Sequence, residues 1–211
     1  MPTVSMLERT QVSNGAEPDI DVTRPFVARV SIVGVTPLLF HSWNIEAVDE
    51  KGKAAKNSAA KKTDNVESYA YRDDEGHIAV PGVNFHACLI EAGRYVQDPR
   101  SSRKSARDLL KAAIVPLTLF APFEPHRETW DYLDRRRVTV QRAGITRTRP
   151  AMEKGWRLTF ELLVNTPEYV NVELLASLVT NAGRLVGLCD FRPTYGRFAM
   201  AGIELADLMG P

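Results

Sequence analysis

The stretch NAGRLVGLCDFRPTYGRFAMAGIEL, residues 181–205, decides the fold. Its front closes an apolar-periodic helix, because Leu174, Leu175, Leu178, Val179, Ala182, Leu185 and Val186 recur at three- and four-residue spacing. Gly187 stands where that helix stops, since a residue without Cβ enters the left-handed region at little cost. Residues 188–196 then read as a compact loop carrying Asp190, Arg192, Pro193 and Tyr195. The chain leaves as a strand in which Phe198, Met200, Gly202 and Glu204 alternate with Arg197, Ala199, Ala201 and Ile203. A helix, a glycine-flanked loop with arginines and aromatics, and a strand form a surface on which a charged polymer can lie. The same pattern also fits a plain helix-to-strand connection with a few surface arginines.

Upstream, the chain supplies the partners such a helix and strand need. Phe26 to Val35 alternates and is rich in β-branched residues, so it reads as the first strand, with Pro37 ending it. Residues 77–80 form a short strand, and Asn84 is placed to cap the helix marked by Phe85, Cys88, Leu89, Ala92, Tyr95 and Val96. Residues 113–120 read as a buried strand, and residues 156–164 as another. Between them Arg136 to Gln141 and Ile145 to Arg149 form two arms of a hairpin, spanning 135–150 with its flanks. Pro167 and Asn171 introduce the last helix. Stripped of its additions, the order is βαββαβ, the ferredoxin-like or RRM-like arrangement of the α+β class, with a long insertion after the first strand and an extra basic hairpin. Many functions share that topology, so it assigns none.

Residues 1–24 lack periodicity and read as a flexible N-terminal arm; residues 25–211 form one domain. The insertion, 41–76, holds a lysine-rich run (Lys51, Lys53, Lys56, Lys61, Lys62) with hardly an apolar face. It is either a solvated loop or an arm that grips a polymer.

Composition narrows the class. A 211-residue chain with 44% hydrophobic residues carries a substantial core. No apolar run approaches the length of a membrane span, and the N-terminus lacks a charged-then-apolar leader, which points to a cytoplasmic protein. Cys88 and Cys189 show no CxxC spacing and read as reduced, partly buried thiols. The formal net charge of +1 hides asymmetry. Residues 135–157 hold seven Arg and one Lys against Glu153 alone, and arginine outnumbers lysine 19 to 8. Arginine offers a fork for phosphate and a face for bases, so the bias points to nucleic acid; ion pairing on the surface or between subunits is the alternative.

Within the hairpin only about half the arginines can share a face, since side chains alternate along a strand. Arg137, Arg142, Arg147 and Arg149 are the set expected to meet phosphates, with Arg192, Tyr195 and Arg197 in the glycine loop, and Lys51, Lys53 and Lys56 in the insertion. Tyr195 and Phe191 can stack on bases or simply pack. The four histidines, His41, His77, His86 and His126, show no HExxH or related spacing, so no metal is expected. No Walker-type loop, GxSxG or GxGxxG is present, and no cofactor is expected.

Three stretches together resemble the RAMP superfamily, in particular the backbone subunits of CRISPR effector complexes. VGVTPLLFH (residues 33–41) is similar to the family's first strand and turn. IAVPGVNFHACLIEAGR (residues 78–94) looks like its Pro-Gly helix entry, although Val83, Asn84, His86 and Ala87 stand where the family usually has Ser, Ser, Lys and Gly. GLCDFRPTYGRF (residues 187–198) is similar to its C-terminal glycine-rich loop, with Cys189 in the place of a second glycine. The chain is similar to a compact stand-alone member of the kind found on phages and other mobile elements, which would place it in the host cytoplasm. The resemblance implies copies packing side by side along single-stranded RNA or DNA, each splaying bases with its hairpin. It also implies two alternatives. One is a metal-independent endoribonuclease, in which His41 is the analogue of a general acid or base and Asp49 of the cleavage aspartate. The other is a protein-interaction module that imitates a CRISPR backbone subunit.

Overall fold

The structure is a computed structural model that describes residues 21, 23–42, 53, 65–140 and 143–207, with side chains described at all of these except 138–140, 143–145 and 207. The core is a four-stranded sheet built from β1 (Phe26–Gly34), β6 (Ile114–Pro116), β10 (Arg157–Val164) and β11 (Phe198–Asp207). The strand order is β11-β1-β10-β6, with every neighbouring pair antiparallel. Helix α1 (Gly82–Ala92) follows β1, and helix α3 (Val172–Asn181) follows β10, so strand, helix, strand, strand, helix, strand is the order along the chain. The α+β class read from the sequence holds.

Alternation builds the two faces of this sheet. Phe26, Ala28, Val30 and Ile32 of β1 and Leu158, Phe160, Leu162 and Val164 of β10 are buried together. Against them pack Phe85, Cys88, Leu89 and Ala92 of α1 and Leu175, Leu178 and Val179 of α3. Phe85 lies flat on Phe160, centroids 4.4 Å apart. Each such ring or leucine withdrawn from water contributes roughly 1.5–3 kcal/mol before chain entropy is counted. The opposite face is polar: Ser31 meets Thr159 at 3.1 Å, and Arg29 stands opposite Glu161. One β-bulge interrupts β11. Ser31 faces Gly202 and Ile32 faces Met200, leaving Ala201 as the extra residue.

A second sheet, order β2-β9-β8, carries the hairpin: β2 is Leu38–Leu39, β8 Tyr132–Val140 and β9 Ala143–Met152. Two small ribbons complete the sheets among the described residues, β3 (Ala79–Pro81) with β7 (Phe120–Pro122), and β4 (Gln97–Asp98) with β5 (Ser101–Ser105). Short helix α2 is Arg107–Ala113.

Three expectations need correction. Asn84 does not cap α1; the helix starts two residues earlier at Gly82, with Pro81 in the extended conformation as its N-cap and no side-chain cap. A Cβ at Gly82 would stand 1.9 Å from the Thr118 carbonyl oxygen, so the close approach of two backbones sets this entry. The strand over 113–120 is two strands. β6 pairs with β10 for three residues, and the chain then crosses, with Leu117 and Leu119 exposed, to pair β7 with β3. The hairpin begins at Tyr132, ahead of the expected start at 135. Asn171, by contrast, caps α3 with its Oδ1 accepting from the Leu174 amide at 2.9 Å. Most of the 1–24 arm and of the 41–76 insertion, including Asp49, Lys51 and Lys56, lies outside the described residues. Among the described residues no helix is long and apolar enough to cross a membrane.

Candidate nucleic-acid interface

Helix α3 runs into a π turn, Ala182–Val186, before Gly187 reverses the chain at φ +84°. Cβ atoms are excluded here. One at Gly183 would fall 2.1 Å from the Phe198 carbonyl oxygen, and one at Gly196, with φ +71°, 2.0 Å from that of Leu188. The loop between these glycines is pinned by backbone hydrogen bonds to the β1–β2 corner. Asp190 N–H donates to Leu39 O at 3.0 Å, Gly196 N–H to Pro37 O at 2.8 Å, and Leu188 N–H to Gly196 O at 2.9 Å. Cys189 and Phe191 adopt positive φ on either side of Asp190. That zigzag turns the Asp190 carboxylate toward the hairpin.

Register fixes which hairpin residues meet the loop. Asp134 pairs with Arg149, and Arg136 with Arg147, so these four side chains share one face. Arg137 pairs with Thr146 and Arg135 with Thr148, which places both arginines on the other face. Arg137 therefore does not join Arg147 and Arg149, contrary to expectation. Arg136 takes the inner place. Its guanidinium bridges to Asp134 and donates to the Tyr195 hydroxyl at 2.6 Å, lying over the Tyr195 and Phe191 rings at 4.8 and 5.1 Å. Hydrogen bonding to Asp134 pushes its pKa further up, so it stays charged.

Arg149 is also withdrawn from solvent. Its side chain is 6% exposed, with Nε 2.6 Å from Asp190 Oδ2. The expectation that it meets phosphate fails, because a guanidinium already neutralised and buried has neither surface nor charge to offer. Arg147 differs: half-buried and outside any ion pair among the described residues, it places Nη1 3.0 Å from His41 Nε2. An arginine only donates, so Nε2 is the accepting nitrogen. Arg192 is exposed. Arg197, also exposed, donates from Nε to the Pro193 carbonyl at 2.6 Å and so braces the loop. Lys53 is exposed, and Arg142 lies outside the described residues.

Between these parts opens a cavity of about 150 Å3, lined by His41, Tyr71, Asn84, Ala87, Cys189, Asp190 and Arg192. A cavity of about that size admits one benzene-sized ring. Burial raises the pKa of the Tyr71 phenol, which keeps it a neutral donor at the wall. Burial likewise pushes the Cys189 thiol to about 12, so it presents S–H rather than thiolate. Asn84 lies with Nδ2 4.0 Å from the Cys189 sulfur, and its side chain also hydrogen-bonds the Tyr71 phenol, so the two line the wall together. Neither Tyr71 nor Asn84 was legible as a site residue. The first lies inside the patternless insertion over 41–76, and the second resembled a helix cap.

No family model matches this chain, and no curated protein matches it. Among solved structures, a similar chain occurs in the "Cryo-EM structure of the Type III-B Cmr-beta bound to cognate target RNA". The likeness has a TM-score of 0.51 at 11% identity, and covers 87% of this chain and 61% of that one. At such identity it is a likeness of fold alone.

Proposed function

We propose that this chain is a non-enzymatic single-stranded nucleic-acid-binding protein that packs in copies along RNA or DNA. The carrying observation is the cavity between hairpin face and glycine loop, walled by Tyr71, Asn84 and an Asp190 carboxylate already paired with Arg149, with exposed Arg192 at its lining and Arg147 beside His41. A backbone phosphate at these guanidinium groups leaves one splayed base within reach of the ring-sized space, where Tyr71 and Asn84 can donate. Phe191, 39% exposed and stiffened by Arg136, offers a second flat surface for the neighbouring base. The fold likeness supports the same reading, because the similar chain belongs to an assembly bound to RNA. Binding side by side rests on the sequence resemblance. Filter binding of single- and double-stranded DNA and RNA over a salt series tests the proposal. Single strands should bind best, with affinity falling steeply as salt rises; equal and negligible retention of all four ends it.

One contact favours a second reading. His41 lines the cavity beside Arg147, where an imidazole can serve as general acid or base. Incubating labelled structured RNA in EDTA distinguishes the two readings. Cleavage lost in His41→Ala supports the endoribonuclease, and intact RNA dismisses it.

A further inference from the structure

We propose that Glu75, His77 and His126 form a binding site for a late first-row divalent cation, with Zn2+ the reference ion, which clips the turn over 73–77 to the segment over 125–127. One ligand atom from each residue lies within 4.8 Å of the others, and the two imidazole rings stand 4.7 Å apart between centroids. His77 and His126 are 49 positions apart in the chain and are joined by backbone pairing, Ile78 N–H donating to Arg127 O at 2.7 Å.

The turn that presents His77 is built without any ion. Asp73 Oδ1 accepts from the amides of Glu75 at 3.1 Å and His77 at 2.8 Å, and Gly76 makes the reversal at φ +86°. Arg72 ties the two segments together from one nitrogen, Nη1 donating to Gly76 O at 2.6 Å and Glu128 O at 2.8 Å. Asp73 Oδ2 and Glu75 Oε2 stand 3.3 and 3.5 Å from His77 Nδ1; with Asp73 holding that nitrogen and fixing the tautomer, the exposed Glu75 carboxylate turns toward Nε2 to share a metal with it. Ligands on Zn2+ at about 2.0–2.2 Å lie roughly 3.3 Å from one another. Glu75 and His126 are exposed, so rotation of their side chains closes the difference. Two imidazoles and one carboxylate favour zinc, nickel or copper over magnesium and calcium, which want oxygen alone. The same clip fixes the hairpin whose start is Tyr71, at the cavity wall.

Isothermal titration of the tag-free, full-length chain with ZnCl2 tests this site. One ion per chain is expected, with at least tenfold weaker binding in His77→Ala and in His126→Ala, and about 10–100-fold weaker binding in Asp73→Asn. His86→Gln, away from the cluster on α1, should bind as the parent does. No saturable binding, or equal binding in both cluster variants and the parent, overturns the proposal. Cobalt titration of the unmodified chain gives a readout independent of mutant folding. Visible bands of a four-coordinate centre that zinc displaces support the site, and their absence overturns it. Neither result depends on polymer binding, so this inference and the proposed function fail separately.

Discussion

Arg149 and Asp190 form an ion pair that joins the middle of the hairpin to the apex of the glycine loop, Nε to Oδ2 at 2.6 Å. Arg149 Nη1 is buried with no hydrogen-bond partner among the described residues, so the pair relies on charge rather than on full hydrogen bonding. Such a pair fixes geometry more than it adds stability, since desolvation offsets much of the attraction.

Removing one partner should therefore cost more than removing both. Asp190→Ala leaves a buried guanidinium uncompensated and is expected to destabilise by about 3 kcal/mol, the low end of the range because Asp190 keeps some solvent. The double variant Arg149→Met/Asp190→Leu should recover most of that loss. Urea denaturation of the parent, Asp190→Leu, Arg149→Met and the double variant closes the cycle, with Asp190→Ala beside them, and a strictly additive cycle contradicts the pairing.

Arg147→Ala and Arg192→Ala should weaken single-strand binding uniformly across sequences and lower the salt slope by about 1 each. Arg137→Ala and Arg135→Ala, on the other hairpin face, should leave the slope unchanged. Fluorescence anisotropy with a labelled oligonucleotide over a salt series decides. Equal effects from both faces would place the polymer elsewhere.

At Gly196 an added methyl meets both a positive φ and the Leu188 carbonyl, whereas at Gly155, with φ +95°, it meets open space. Gly155→Ala is expected to cost about 1 kcal/mol from the left-handed backbone alone. Gly196→Ala should cost at least about 2 kcal/mol, adding strain from the packed loop. Thermal unfolding of the two variants gives the comparison, and equal melting points would remove the loop's tight seat.

Burial pushes the thiols of Cys88 and Cys189 to about 12, against 9.0 for the free group. The thiolate is the nucleophile, so iodoacetamide at pH 8 should react slowly with the folded chain and quickly in urea, Cys189 at the cavity before buried Cys88. The sign for stability follows. The folded state keeps these protons while the unfolded chain loses them, so the contribution is whole below about pH 9 and falls away toward pH 12. A denaturation midpoint that rises with pH over that interval contradicts the burial of these groups.

Periodicity made the core legible, because burying one face of each strand and helix leaves a visible repeat. Phe26 to Ile32, Leu158 to Val164, and Leu175 and Leu178 of α3 sit where their spacing demanded, whereas Leu185 and Tyr95, read on the same periodic runs, are exposed past the helix ends. The site was legible only in part. Alternation told that half the hairpin arginines share a face, but the phase depends on which residues pair, and Asp134 opposite Arg149 put Arg136 inward in place of Arg137. Acids that neutralise arginines came from positions without local signal, Asp190 across the molecule and Asp134 on the same strand. The cluster of Glu75, His77 and His126 escaped for the same reason, since motif spacing sees only neighbours along the chain.

The bend between α3 and β11 takes its shape from peptide groups bonded to Pro37 and Leu39, and from glycines that admit nothing larger. Arg192 and Thr194 project from it as exposed side chains that hold nothing else in place among the described residues. Those positions can be rewritten without endangering the architecture. Libraries randomised there should yield mostly well-folded variants, and a chain retargeted to a different polymer is to be sought at that rim before any other.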